Sequence, residues 1–469
     1  MPETTLDPTA TDDLRSQLEG TLVMPEDDGY DDARRTANGM FDDKRPAAVA
    51  QCASAADVRA ALVAARDRGL IVAVRCGGHS APGFSTCDGG LVIELRAMNR
   101  VDVDPEERTA RVQGGANWGE LDTATQEHGL AVTGGRVTDT GVAGLTLGSG
   151  SGWLERMYGV TPASLIAAEL VTADGEVVVA SESENPELLW GLRGAGGNFG
   201  IVTEFTFRLH PVGPIVLAGQ LGYPREGTEE RLRAYRDYMA SAPDEVGGGM
   251  ALLTAPPLDF IPEPVRGQPI TGVIFCYIGD VEAGQQALAE LKEKLGPPAL
   301  DMVQPMPYTA LQAMIDGGSP RGIREYYKFD FIRELSDEAI DTLVETAARA
   351  PSPHTQLIVE PLGGEYSRTD RSAMALEAPD APWAYHALNM WHEPAENDVN
   401  IAFAREFAAA MGPYGLGVAY SNFVNTDEIA DRWRGSFSDE KWKRLSALKQ
   451  QWDPDNVFQL NTNILPAEA

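Results

Sequence analysis

The chain has 469 residues, 43% of them apolar, and 70 Asp and Glu against 38 Lys and Arg give it a formal charge of -32. That length exceeds one compact core, so two or three domains or a two-part architecture are expected. The charge disfavours nucleic acid and anionic membrane as partners, and no apolar run approaches the ~20 residues that a membrane helix needs.

The polar start MPETTLDPTA lacks the apolar centre of a secretion signal, so a cytoplasmic protein is expected. Residues 1–42 read as a loosely held acidic lead-in. Residues 43–212 alternate short apolar runs with glycine turns and two helices, the pattern of an α+β cofactor domain. AADVRAALVAARDRGL has helical spacing and stops at Gly69, and IVAVR then forms a buried strand running into a glycine loop. Asn117 with Glu120 makes a capping box that starts a second helix. Two strand-like runs flank Asp174-Gly175, a hairpin signal.

After Pro211 the glycines thin out. Strands such as TGVIFCYIG and TQLIVEPLGG alternate with amphipathic helices near 281–294 and 335–349, which predicts a substrate domain over 213–415 with an antiparallel sheet and helices. The last stretch, 416–469, is expected to fold back onto the first domain. Cys52, Cys76, Cys87 and Cys276 have neither metal-site spacing nor the density of a disulfide framework, so reduced thiols and no metal site are expected. Acidic residues are spread along the whole chain and form no single tail. A screening length of ~3 Å in molar salt makes such repulsion tolerable, so a salt-rich cytoplasm and an ordinary acidic protein both fit.

Three glycine loops, each beside a strand, carry the chemistry. RCGGHS (Arg75–Ser80) leaves backbone N–H groups free to cradle an anion. GRVTDTGVAGLTLGSGSGWL carries Gly141, Gly144, Gly148, Gly150 and Gly152, a density beyond what packing requires. GLRGAGGNFG leads into an alternating strand over Ile201–Leu209. Together they point to one large ligand with a diphosphate.

With NPELLWGLRGAGGNFGIVT and WDPDNVFQLNTNI, these segments resemble, in order and over nearly the whole chain, the berberine-bridge-enzyme-like FAD-linked oxidases of the vanillyl-alcohol-oxidase and p-cresol-methylhydroxylase type. The resemblance implies an α+β fold: a two-part FAD-binding domain of the p-cresol-methylhydroxylase type over 43–212, joined to the substrate domain. It implies FAD bonded to His79 through the flavin 8α-methyl, a link that draws electron density from the ring and favours hydride acceptance. The matching FAD contacts are Arg75, Cys76, Gly77, Gly78 and Ser80, then Thr140, Gly141, Gly144, Leu145, Gly148, Gly150, Gly152 and Trp153. Gly200, Ile201, Val202, Asn422 and Asn461 complete the set. Many relatives hold a second bond from a cysteine where this chain has Val137, so a single bond is implied.

In sugar-oxidising relatives the base is the last tyrosine of Tyr-x-Asn-Tyr, and this chain reads Tyr420-Ser421-Asn422-Phe423. The candidate bases are Tyr420 and Glu360. Behind them stands the strand WAYHALNMWHE, where Tyr385, Asn389 and Trp391 share one face and His386 and His392 the other. The family's substrate-domain motif around an arginine departs as well, reading SAMALE over Ser372–Glu377. The resulting expectation is hydride transfer from a CH–OH group of a sugar, oligosaccharide or secondary-metabolite alcohol, with O2 or another acceptor re-oxidising the flavin. Oxidation of a CH–NH group in an alkaloid-like amine and a non-catalytic flavin-carrying protein are the alternatives. A nicotinamide-binding reading is weaker, because Trp153 stands where a G-x-G-x-x-G pattern begun at Gly148 and Gly150 needs its third glycine.

Overall fold

The runs AVAQ, VAVR and LVIE have almost no polar face, and strands of that kind need cover on both sides. In the computed structural model, which describes residues 8–259, 261–376 and 379–468, they form Ala48–Gln51, Val72–Arg75 and Leu91–Glu94. Leu91–Glu94 lies in the middle, parallel to both neighbours. The helix Ala55–Arg66, capped by the Ser54 side chain, buries Val58, Ala61, Leu62 and Ala65 against this sheet.

The second layer is antiparallel, in the order Val101–Asp104, Thr109–Gln113, Ile201–Arg208, Leu165–Val171, Val177–Ser181. Gly175, at φ 87°, makes the tight turn of the last hairpin. The capping box at Asn117 and Glu120 starts the helix Trp118–Gln126. Between these two sheets run the glycine loops, so the FAD-binding part has two halves.

From Ile215–Pro224 onward the chain builds a third, antiparallel sheet, eight-stranded among the described residues. Its strands are long and alternate, and the two faces differ in character. One face packs Tyr223, Met250, Leu252, Phe275 and Tyr385 under the helices Thr228–Met239, Val281–Leu295, Asp337–Ala347 and Asn397–Met411. The opposite face, carrying Gly222, Gly249, Ala251, Gly272, Glu360 and His386, looks toward the glycine loops. The fold is α+β, a two-part domain built on the first two sheets with a third, antiparallel layer beside it.

The C-terminal segment returns to the FAD-binding part. The helix Asp439–Trp452 lays Leu445 and Leu448 into the core of the second layer. Its fully buried Lys449 lies 2.5 Å from Asp453 and donates to the Asn198 and Phe458 carbonyls, at 2.9 and 3.0 Å.

The lead-in is a correction. Residues 1–7 lie outside the described part, but from residue 8 the segment is folded and held. The helix Pro8–Gln17 buries Ala10 and Leu14, and Thr21–Val23 adds an antiparallel edge to the first sheet. Asn38 reaches the substrate layer, donating to the Glu325 carbonyl at 2.9 Å and accepting from the Glu325 N–H at 3.1 Å. A three-residue strand is too short to show a period, so hydropathy alone misses it.

The helix Trp118–Gln126 meets the substrate layer through Asp122, which is 1% exposed and accepts from Gln312 at 2.7 Å. Burial pushes this carboxyl up to about 7, against the Gln312 hydrogen bond. The folded protein therefore holds a proton that the unfolded chain has released above its ordinary value of 3.8, and stability falls as pH rises from there to about 7. Asp122→Asn keeps an acceptor for Gln312 and removes the ionisation. Its melting temperature is expected to fall less than that of the parent between pH about 5 and about 8, a difference worth a few kcal/mol at the upper end. Calorimetry across that range checks it, and equal slopes would refute it.

Candidate functional site

The glycine loops and the inner face of the third sheet enclose one continuous cavity of about 1130 Å³. That exceeds the ~300–1,000 Å³ of a drug-sized ligand site and leaves room for a long cofactor with a substrate beyond it. At its base two loops cross in close contact. A Cβ at Gly77 would overlap the Gly141 nitrogen, and one at Gly141 would overlap Cys76 and Gly77. Gly144 and Gly197 behave differently: both line the cavity, and a Cβ on either would meet nothing within 4 Å. Protein packing does not demand glycine there, whereas a flat ligand lying against the main chain does. The residues present fit FAD.

Most expected FAD contacts line this cavity: Cys76, Gly77, Gly78, His79 and Ser80, then Thr140, Gly141, Gly144, Leu145, Gly148 and Trp153. Gly200, Ile201, Val202, Asn422 and Asn461 line it too, as does Val137. Three do not. Arg75 is buried behind the loop, paired with Glu94 and donating to the Ala33 and Arg35 carbonyls, so it braces the loop from outside. Gly150 fits against Thr161, and Gly152 against the Gly134 carbonyl. The four cysteines are free and buried, and burial pushes the Cys76 thiol up to about 12.

His79 stands beside a charged pair. Its buried Nε2 lies 2.7 Å from Asp139 Oδ1, a close approach that is not aligned as a hydrogen bond. Arg321 donates to Asp139 Oδ2 at 2.8 Å and to the Gly77 carbonyl at 3.1 Å. Burial would raise the Asp139 carboxyl, but His79 and Arg321 together hold it down at about 2. Thr138 is fastened to Asp316 through its N–H and hydroxyl, at 2.9 and 2.6 Å. The segment 316–321 thus clamps both loops.

Across the cavity from these loops lies an aromatic cluster. Phe423 is 4.2 Å from His386, 5.3 Å from Tyr420 and 5.8 Å from Tyr327, centroid to centroid. Burial pushes the His386 imidazole down to about 4, outweighing the pull of Glu360, so the ring is neutral at pH 7. Its buried Nε2 has no partner among the described residues. Tyr420 lies beside the Ser149 and Ser151 hydroxyls, and burial lifts its phenol far from ionising.

Glu360 takes part in a buried triad. Arg136 donates to Glu360 at 2.9 Å and to Glu155 at 3.1 Å, with its guanidinium 4.9 Å above the Trp153 ring. Burial, aided by Glu360 and opposed by Arg136, pushes the Glu155 carboxyl up to about 7.

Sequence reasoning missed Tyr327 and Glu325. They lie two apart on the strand Arg324–Ile332, so both point to one face. The Tyr327 hydroxyl donates to Glu325, and so does Ser319. The alternation in REYYKFDFI was the available signal. On the strand Trp383–Trp391 the split of faces holds, with the cavity on the His386 side. His386 and His392 line the cavity, whereas Tyr385 packs on Phe407, Asn389 donates to the Tyr326 carbonyl and Trp391 donates to Asn397. The segment from Ser372 is pinned to the helix Pro186–Leu192, with Trp190 donating to the Ser372 carbonyl and Leu376 N–H to the Arg193 carbonyl; Glu377 lies outside the described residues.

Farther from the loops the cavity turns apolar, walled by Leu253, Leu258, Ile261, Val265, Ile270 and Leu300.

The sequence matches an FAD binding domain model over residues 46–181 and a berberine and berberine-like model over 419–465. It is 31% identical to an FAD-linked oxidoreductase of Dictyostelium discoideum over 421 residues, 88% of this chain and 87% of the relative. It is 30% identical to (R)-6-hydroxynicotine oxidase of Paenarthrobacter nicotinovorans over 464 residues, 96% of this chain and 97% of the relative. Among solved structures it resembles 6-hydroxy-D-nicotine oxidase of Arthrobacter nicotinovorans, with TM-score 0.84, 28% identity and coverage of 96% and 98% of the two chains.

Gly144→Ala separates ligand space from packing space. The new methyl meets no protein atom and alanine favours the helix Val142–Gly148, so the fold is expected to be at least as stable. The affinity of the flavin-free chain for FAD is expected to fall roughly tenfold, about 1.4 kcal/mol of binding, and FAD content per chain to fall with it. Absorbance against protein mass measures it, and undiminished FAD content would contradict the assignment.

Proposed function

The chain belongs to the berberine-like FAD-linked oxidoreductases, and on that premise we propose that it oxidises a CH–OH group of an apolar, secondary-metabolite-type alcohol. The observation carrying this reading is a tyrosine hydroxyl bonded to a buried carboxylate at one end of a largely apolar cavity. FAD, when bound, supplies the two-electron acceptor.

Tyr327 takes the substrate's hydroxyl proton and passes its own to Glu325. Burial raises the Tyr327 phenol well above its ordinary value, with Glu325 adding to the effect, so it relays a proton and does not stand as phenolate. Burial likewise raises the Glu325 carboxyl, and a less acidic carboxylate is the stronger base. Neutral His386 offers the substrate a ring nitrogen, and the Arg136 triad fixes Glu360 at the cavity wall. The apolar arm favours a hydrocarbon or aromatic body over a sugar, whose hydroxyls would lose water without replacement. His79 carries the single covalent bond to FAD, because Val137 cannot form a thioether. With FAD bound, dioxygen would serve as the final electron acceptor.

A second reading, oxidation of a CH–NH group, is favoured by Phe423, since a neutral amine reacts without a strong base. The relative named (R)-6-hydroxynicotine oxidase supports it.

Anaerobic bleaching of the flavin by aromatic secondary alcohols, cyclic amines and aldoses separates the readings. Tyr327→Phe is expected to slow bleaching by alcohols roughly 10²–10⁴-fold and to leave the flavin spectrum intact. An undiminished rate would remove Tyr327 from the mechanism. Bleaching by none of the panel would favour the non-catalytic alternative. Mass spectrometry after acid precipitation tests the link: an FAD increment is expected in the parent protein and is lost in His79→Ala.

A further inference from the structure

We propose that Asp139 positions His79 for covalent attachment of FAD, holding the proton on Nε2 so that Nδ1 carries the lone pair that forms the bond. The inference rests on the covalent reading above and assigns a new role within it.

The geometry supplies the parts. Nε2 is buried and lies 2.7 Å from Asp139 Oδ1, the one carboxylate oxygen that Arg321 leaves free. A carboxylate at one imidazole nitrogen fixes the tautomer and raises the basicity of the other, as it does for metal-bound histidines. Arg321 holds the second carboxylate oxygen and also the Gly77 carbonyl, two residues before His79. The Asp139 carboxylate, kept ionised at about 2, does not need to accept the proton: it offsets the positive charge that the ring gains as Nδ1 bonds. Asp139 is a positioning residue, since it touches neither substrate nor flavin in this scheme.

The Nδ1 lone pair forms the N–C bond to the 8α carbon while one C–H bond of that methyl breaks. The hydrogen leaves as a proton and its electron pair reduces the ring system. The Nε2 proton then passes to solvent along the part-exposed side of Asp139, 39% accessible at its side chain. Dioxygen takes the two electrons and two protons and leaves as hydrogen peroxide.

The test uses the full-length chain from flavin-starved cells, mixed with FAD in air, and follows acid-stable flavin by mass. The parent is expected to attach FAD to completion. Asp139→Asn is expected to bind FAD with unchanged affinity yet attach it roughly 10–100-fold more slowly, and Asp139→Glu to recover part of the rate. Unchanged affinity with a lost rate is what a merely structural role would not give. Attachment by Asp139→Asn at the parent's rate overturns this inference alone. Weakened FAD binding in both variants, with no separate loss of rate, also overturns it. A parent whose flavin is released entirely by acid overturns the covalent reading and this inference with it.

Discussion

Two backbone loops cross at Gly77 and Gly141 so closely that neither position has room for a Cβ, and the flavin site is built around that crossing. The contact brings His79, two residues beyond one glycine, against Asp139, two residues before the other. It also seats Cys76, whose thiol donates to the Ala116 carbonyl at 3.3 Å. Strand pairing cannot hold such a crossing, because the loops run past the ends of their sheets. It is held by side chains: Arg75 on Glu94 behind, the Asn117 cap beside, and Arg321 and Asp316 from the substrate layer in front. The FAD-binding part is therefore completed by residues that lie about 180 positions later in the chain.

That dependence explains the shape of the substrate layer. A sheet normally fills the space over its inner face with large side chains, but here Gly222, Gly249, Ala251 and Gly272 leave it hollow. The volume they release is the cavity. Functional groups stand where the hollow meets the glycine loops, at Glu360, His386 and Tyr327, and the apolar wall begins on the far side. Asn38, from the first segment of the chain, pins the backbone of Glu325 and so fixes the height of the Tyr327 hydroxyl above the loops.

The sequence made legible whatever is decided locally. Glycine density marks the loops because close approach of a ligand leaves a compositional trace. The Asn117 box, the Asp174-Gly175 turn and the helix Asp337–Ala347 follow from contacts within a few residues. What depends on distant partners was not legible. Arg75 reads as an FAD contact until Glu94 is seen to claim it. Arg136 is an ordinary loop cation until folding places it between Glu155 and Glu360, the latter 224 positions away. Period two placed His386 and His392 on one face of their strand, but nothing local says which face the cavity takes. Gly150 and Gly152 sit in the densest glycine run yet serve internal packing, so density locates the loop without sorting its members.

Charge at the reacting end narrows what can enter. Glu360 lines that end, Arg136 bonds both it and Glu155 behind it, Glu325 holds the Tyr327 hydroxyl, and His386 is neutral. Burial raises Glu155 and Glu325, so each carboxylate takes up a proton more readily than an exposed one would. An anionic substrate would add repulsion in a medium of low dielectric and find no free cation to answer it among the described residues that line the aromatic cluster. A neutral substrate meets no such cost, and a cationic one is attracted but would have to lose its proton to react. The same raised carboxyls that repel anions are the groups able to take that proton, so exclusion by charge and acceptance of a proton arise from one arrangement of buried acids.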